Sequence, residues 1–205
     1  GRDRDPRRLA AVRAAGAAGK LEDRLTERAV PDQPRNAGAG PQVLTEALAS
    51  FASGVTLVMI ADGRDDIGTT VSAFCPVSLD PPLVLAALMA ESYPAQVMVG
   101  PGGPAGFAVT LLAAAQRVLA GRFAAAGRPG ARLLLDDVPH IRGRHSGARI
   151  ATGGLAALDC TTESLTPAGD HLLVMGRVLD VPYAGESSDP LIRFRGRYPS
   201  LGQPA

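Results

Sequence analysis

Helical spacing of apolar residues is confined to a few short stretches of this chain, and the remaining apolar positions fall mostly in strand-length runs. Leu44, Ala47, Leu48 and Phe51 recur at i, i+3, i+4 and i+7, giving a short helix one apolar face, and Gly54 is placed to end it in a left-handed conformation. Val55 to Ala61 is a β-branched run. Asp62-Gly63 and the charged Arg64-Asp65-Asp66 then turn the chain into a second run, Ile67 to Phe74. A connection of about four or five residues has no room for a crossover helix, so these two strands are expected to be antiparallel neighbours.

Pro76, Ser78, Asp80, Pro81 and Pro82 read as a rigid corner outside any hydrogen-bond ladder, because proline fixes φ and removes a donor. Leu83 to Met89 follows as a fully buried strand. A short helix near 94–99 and a Gly/Pro turn over 100–106 precede the strand Phe107 to Leu112. Residues 113–125 are Ala-rich, with Ala115, Val118, Leu119 and Phe123 on one side, and predict a helix. Gly127, Pro129 and Gly130 open a long irregular region running to Gly154; strands resume at Leu155–Glu163, His171–Val181 and Leu191–Phe194. Short strands with few helices predict a mainly β fold, a closed or nearly closed barrel with short peripheral helices. The regular strand–helix alternation of a doubly wound sheet is missing.

Residues 1–42 differ in character. Leu9, Val12, Leu21, Leu25 and Val30 can form a helical turn or two, but glycines and prolines interrupt them, which predicts a flexible or partner-docking extension before a single domain over 43–201 and a tail at 202–205. That extension carries nine basic against six acidic residues, while the whole chain has 21 against 20, a formal charge of +1. Such a balance gives no support to a nucleic-acid or membrane-surface partner. The apolar runs are too short to span a bilayer, and the first residues lack the apolar centre of a secretory signal, so the cytoplasm is expected. Cys75 and Cys160 read as reduced thiols, and His140, His145 and His171 form no metal-ligand pattern.

The densest polar feature is Gly68-Thr69-Thr70-Val71-Ser72-Ala73-Phe74-Cys75-Pro76-Val77-Ser78-Leu79-Asp80-Pro81-Pro82. Hydroxyls at 69, 70, 72 and 78, with backbone N–H groups at a strand end, suit phosphate oxygens or the polar edge of a planar ring; they equally suit an ordinary strand and turn. Phe107-Ala108-Val109-Thr110-Leu111-Leu112, a helix with Gln116 and Arg122-Phe123, Ala168-Gly169-Asp170-His171 with Gly176-Arg177-Val178, and Arg195-Gly196-Arg197-Tyr198 follow in order. Over residues 44–201 this succession resembles the flavin reductase-like family, whose members use an FMN-binding split barrel.

The resemblance implies a homodimer with flavin near the subunit boundary, oxidation of NADH or NADPH, and release of reduced FMN or FAD to a separate flavin-dependent monooxygenase. Carried over by position, Thr69, Thr70, Val71, Ser72 and Ala73 match the segment along the flavin ring edge and ribityl chain, and Ser78 and Ser92 match positions near its tail. Thr110 stands where the family often has Asn, Ala95 where it commonly has a hydroxyl, and Tyr93-Pro94 where its approach is more polar. His171 matches the nicotinamide-side histidine, and Arg195, Gly196, Arg197 and Tyr198 match a C-terminal cofactor-side loop. On a residue reading alone, His171 is a hydrogen-bonding strand end and Tyr198 a core cap.

In the implied chemistry no side chain acts as nucleophile. Hydride passes from nicotinamide C4 to flavin N5, and backbone donors around Thr70–Ala73 face the charge developing on the ring. NADH is preferred over NADPH because no compact cluster marks a 2′-phosphate site, with Arg142, Arg144, His145 and Arg149 either cofactor-facing or a solvated loop. Two other accounts fit the departures at 93–95: a fixed-flavin enzyme acting on a small metabolite, and a flavin binder without turnover.

Overall fold

The first periodic stretch folds as helix α1 (Pro41–Ala49) in a computed structural model that describes residues 40–63, 65–185 and 188–201. The expectations for residues 1–39 and for the tail at 202–205 lie outside the described residues. None of the α1 side chains is buried: Leu44, Leu48 and, just beyond the helix, Phe51 keep the predicted apolar row facing outward. Gly54 does not cap the helix. It lies in β1 (Ser53–Gly54), paired with Ile192 of β11 (Ile192–Arg193).

β2 (Thr56–Ile60) and β3 (Ile67–Val71) form the expected antiparallel pair, Thr56 opposite Val71 and Ile60 opposite Ile67. The proline corner is overturned. Phe74–Leu79 is a strand, β4, antiparallel to β5 (Pro82–Met89), with an irregularity between Pro76 and Ser78. Pro76 is tolerated because β4 is the last strand of its sheet, where a missing N–H breaks no second ladder. β5 is not buried on both faces: Val84, Ala86 and Leu88 point into the core while Leu83, Leu85 and Ala87 on the other face are only half covered.

Helix α2 (Tyr93–Val99) is capped by the Ser92 hydroxyl, which accepts from Ala95 N. β6 (Gly106–Leu111) leads to a 3₁₀ turn (Ala114–Gln116) and helix α3 (Arg117–Ala124), whose buried face is Leu119, Ala120 and Phe123. Val118 is exposed, so that helix is rotated from the predicted stripe. The region expected to be irregular contains a helical turn α4 (Ala131–Leu134) and a hairpin of β7 (His140–Arg142) and β8 (Arg149–Ala151). β9 (Ala156–Ala168) and β10 (His171–Ala184) are longer than predicted and pair through most of their length.

Seven of these strands make one antiparallel sheet in the order β3-β2-β6-β9-β10-β5-β4. Its first and last strands are joined by only Ser72 and Ala73. Seven strands laid flat would hold β3 and β4 roughly 29 Å apart at the usual strand spacing, whereas Val71 and Phe74 can be at most about 11 Å apart along the chain. The sheet must therefore roll until its margins approach, and the link extends the β4–β5 ladder, with Ala87 N donating to Ala73 O (2.9 Å). Two apolar clusters fill this arrangement, one around Leu57, Met59, Phe123 and Leu135, the other around Val58, Phe107, Val109 and Val174.

The β7–β8 hairpin is fixed by two buried carboxylates. Asp66, whose side chain has no exposure, accepts from Arg149 N (2.6 Å) and from Arg142 Nη1 (3.2 and 3.3 Å), and the Arg149 guanidinium lies 3.3 Å away. Asp159 accepts from the backbone of His145 and Ser146 (2.8 and 3.1 Å). Asp66→Ala strands the nearly buried Arg149 charge and is expected to destabilise the protein by about 3–5 kcal/mol, read from urea unfolding; a loss within the scatter of surface substitutions would show that the carboxylate does not hold the hairpin.

Candidate functional site

β3 owes its position to contacts at its start. A Cβ on Gly68 would fall 2.4 Å from the Phe123 ring and 2.5 Å from Met59 Sδ, so only glycine lets the strand lie on these buried side chains. The Gly68 carbonyl accepts from Arg128 through Nε (3.1 Å) and Nη2 (2.8 Å). Burial lowers the Arg128 guanidinium from its ordinary value, yet it remains a cation at neutral pH. Among the described residues β3 pairs only with β2, so Gly68 O marks the free edge of the sheet. Backbone groups of alternate residues point the same way, so those of Thr70 also face that edge.

Where the sheet margins meet, Thr69, Thr70, Val71, Ser72 and Ala73 line a cleft of about 430 Å³ with Ala87, Leu88 and Met89 of β5, Ser92, Ala124, Arg128, His171 and Arg193. His171 opens β10 opposite Met89, and its Nδ1 lies 2.7 Å from Asp170 Oδ1. That hydrogen bond, then the imidazole's charge, holds the Asp170 carboxyl below its usual range. With the Nδ1 proton given to Asp170, Nε2 is left for a ligand. Ala90 N donates to Asp170 O (2.9 Å), tying the turn that carries the histidine to the end of β5.

A second groove of about 500 Å³ shares Ser72, Ala73 and Arg193 with this cleft. Its other walls are Thr45, Leu48, Ala49 and Phe51, with Ser53, Arg195 and Gly196 opposite. Arg195 and Gly196 both adopt positive φ (47° and 73°), closing a tight turn in which Phe194 and Arg197 exchange backbone hydrogen bonds of 2.9 Å. Arg195 N also donates to Ala49 O (2.9 Å), so the turn is pinned to the end of α1.

The structure thus brings together Thr69 to Ala73, Ser92 and His171, and sets Arg195 and Gly196 in the adjoining groove. It does not bring the other sequence candidates there. Thr110 is buried within β6, its hydroxyl donating to Ala151 O (3.4 Å). Ala95 is packed on the inner face of α2, and Ser78 lies on β4 opposite Leu83. Tyr198 packs against the core with the Arg117 guanidinium 5.4 Å from its ring centre; Arg197 lines neither cleft. Arg142 and Arg149 are committed to Asp66, and Arg122 forms a two-point pair with Asp137. Sequence reasoning missed Arg128, Arg193, Ala124 and Ala87 to Met89. For Arg128 the available signal was a lone cation inside the Gly127–Gly130 turn; for the others nothing local distinguishes them.

Chemically, the cleft suits a flat, polar-edged ring. Its walls include the small side chains Ser72, Ala73, Ala87 and Ala124, its hydroxyls come from Thr69, Thr70, Ser72 and Ser92, and Thr70 adds free-edge backbone groups. Its volume is within the ~300–1,000 Å³ typical of small-molecule sites. These residues fit a bound flavin, and His171 stands in the wall of the same cleft.

A flavin reductase like domain model matches residues 47–202. The chain is 38% identical over 164 residues to the reductase component of 4-hydroxyphenylacetate 3-monooxygenase from Thermus thermophilus, covering 80% of this chain and 99% of that protein. It is 31% identical to an NADH-dependent FMN reductase from Streptomyces nodosus subsp. asukaensis, over 84% of this chain and 91% of that one. Among solved structures, the NADH:FAD oxidoreductase of Streptomyces globisporus in complex with NAD and FAD fragments superposes with a TM-score of 0.69 at 29% identity, covering 79% of this chain and 93% of that chain.

Proposed function

The chain belongs to the flavin reductase-like family, and from that premise we propose that it is an NADH-dependent flavin reductase supplying reduced FMN or FAD to a separate monooxygenase. The observation that carries this reading is the single cleft holding both the β3 hydroxyl row and His171. The relatives support its cofactors: one is named for NADH and FMN, another structure for NAD and FAD. The rolled, margin-to-margin sheet is what we read as the family's split barrel.

When bound, the flavin supplies the electron-accepting chemistry, taking a hydride from the nicotinamide. The chain's part is positioning. Thr70 and Ser72 give hydroxyl contacts along one edge and Thr69 adds a hydroxyl from the other face of the strand, while Thr70 and Ser72 to Ala73 offer backbone N–H groups toward the side of the ring that gains charge. His171, oriented by Asp170, holds the nicotinamide ring against the flavin. Arg142 and Arg149, the arginines considered for a 2′-phosphate, are engaged by Asp66, which supports NADH as the electron donor.

We also propose a homodimer. The apolar row Leu44, Leu48 and Phe51 is exposed beside the Arg195 groove, and a second copy covering it would complete a wall of the site. Sedimentation should then give twice the 21.0 kDa chain mass; a monomer at micromolar concentration would overturn this part.

Mixing the protein with NADH and excess FMN or FAD should consume NADH without any organic substrate; if neither flavin supports turnover, the reductase reading fails. His171→Ala is expected to raise the KM for NADH by about tenfold, the loss of one well-placed polar contact, with a much smaller effect on the KM for flavin. An unchanged KM for NADH would remove His171 from the nicotinamide side.

A further inference from the structure

Met89 ends β5 in the wall of the cleft, opposite His171 in the β5–β10 ladder, and its side chain is 62% exposed. Residues directly opposite one another on antiparallel strands share a face of the sheet, so the thioether and the imidazole are neighbours. We propose that Met89 is an oxidation site: hydrogen peroxide, formed when dioxygen takes the electrons of reduced flavin, converts it to the sulfoxide, and the sulfoxide weakens the NADH side of the cleft. The inference rests on the reading that NADH reduces a flavin there.

The other sulfur atoms are placed differently. Met59 and Met98 are buried, and so is Cys160, whose burial pushes its thiol up to about 12. Met175 is half-buried on β10 opposite Leu85; Cys75 is exposed, but on β4, also opposite Leu85. Neither lines the cleft. Of the four methionines and two cysteines, all among the described residues, Met89 alone combines open access with a place in the site.

The chemistry balances with dioxygen as the oxidant. Dioxygen takes two electrons and two protons from the reduced flavin and leaves as hydrogen peroxide. The Met89 sulfur then attacks one peroxide oxygen: an S–O bond forms, the O–O bond breaks, and the other oxygen departs with both hydrogens as water. A thioether packs as an apolar group and accepts hydrogen bonds weakly, whereas a sulfoxide is larger, polar and a good acceptor. His171 gives Nδ1 to Asp170, so Nε2 is the ring atom it has for a ligand, and a polar oxygen on the facing residue competes with a bound ring for that surface. Peroxide accumulates when reduced flavin is left to dioxygen and no acceptor protein draws it off, so the modification records an idle partner. It is reversible, because methionine sulfoxide reductases restore the thioether.

The test compares three samples: protein turning over NADH with excess FMN or FAD in air, the same mixture with catalase, and resting protein dosed with hydrogen peroxide. Peptide mass mapping locates added oxygen, and KM values for NADH and flavin are read before and after. Met89 is expected to gain one oxygen ahead of Met175 and Cys75, and catalase to prevent it. The KM for NADH should rise about fivefold, the loss of one polar contact, with a much smaller change for flavin, and methionine sulfoxide reductase should reverse both the mass and the KM. Met89→Leu, judged against its own starting KM, should not respond to the same peroxide dose. Oxygen added first at Met175 or Cys75, oxidation undiminished by catalase, a fully oxidised Met89 with an unmoved KM for NADH, or a peroxide-driven rise that persists in Met89→Leu each overturns the proposal. If NADH is consumed with neither flavin, the reductase reading has failed and the proposal falls with it; NADH consumption in air without oxidation of Met89 defeats the proposal alone.

Discussion

A two-residue link closes this fold. Ser72 and Ala73 join the first and last strands of a seven-stranded sheet, and so short a connection is incompatible with a flat arrangement. Everything near the cleft follows from that restriction. The end of β3 must lie beside β5, β5 carries β10 with it, and the first residue of β10 is His171. The cleft is thus a seam of the rolled sheet, and the residues that line it are those for which the seam leaves room. Gly68 and Arg128 act at the other end of β3, one by letting the strand sit on Phe123, the other by gripping its outermost carbonyl.

Much of this was legible wherever neighbours in sequence are neighbours in space. The β2–β3 hairpin, α2 and the strand after Gly106 all follow from local period and turn residues. Reading failed where a residue's environment is set from afar. Proline in β4 looks like a strand breaker until the sheet order shows that β4 has only one partner. The β7–β8 hairpin looks irregular because its stabilising acceptor, Asp66, is 76 and 83 residues away from the arginines it holds. The α3 stripe was misplaced by one position because Ala120, a small residue with weak hydrophobic signal, is fully buried in preference to the larger Val118.

The site divides in the same way. Thr69 to Ala73 were recognisable as a dense hydroxyl-bearing segment, and His171 as a lone histidine at a strand start; the structure sets both in one cleft. Thr110 and Ala95 stand at family positions with departing residue types, and both are turned inward, where Thr110 serves the Ala151 carbonyl and Ala95 packs on the second apolar cluster. Arg128 went unnoticed because its significance lies in a carbonyl 60 residues earlier. The arginine-rich stretch 142–149 read as either cofactor-facing or a solvated loop, and two of its charges instead neutralise one buried acid.

The proline within β4 has a further effect on how the molecule behaves among its own kind. A rolled sheet with an open margin offers neighbouring chains a row of amides to extend, and β4 adds exposed Val77 and Leu79 to that margin. Pro76 withholds one donor in the middle of the row, and the bulge beside it puts successive residues out of phase with any straight strand laid alongside. A straight strand from a second chain therefore finds no continuous ladder to extend along this rim.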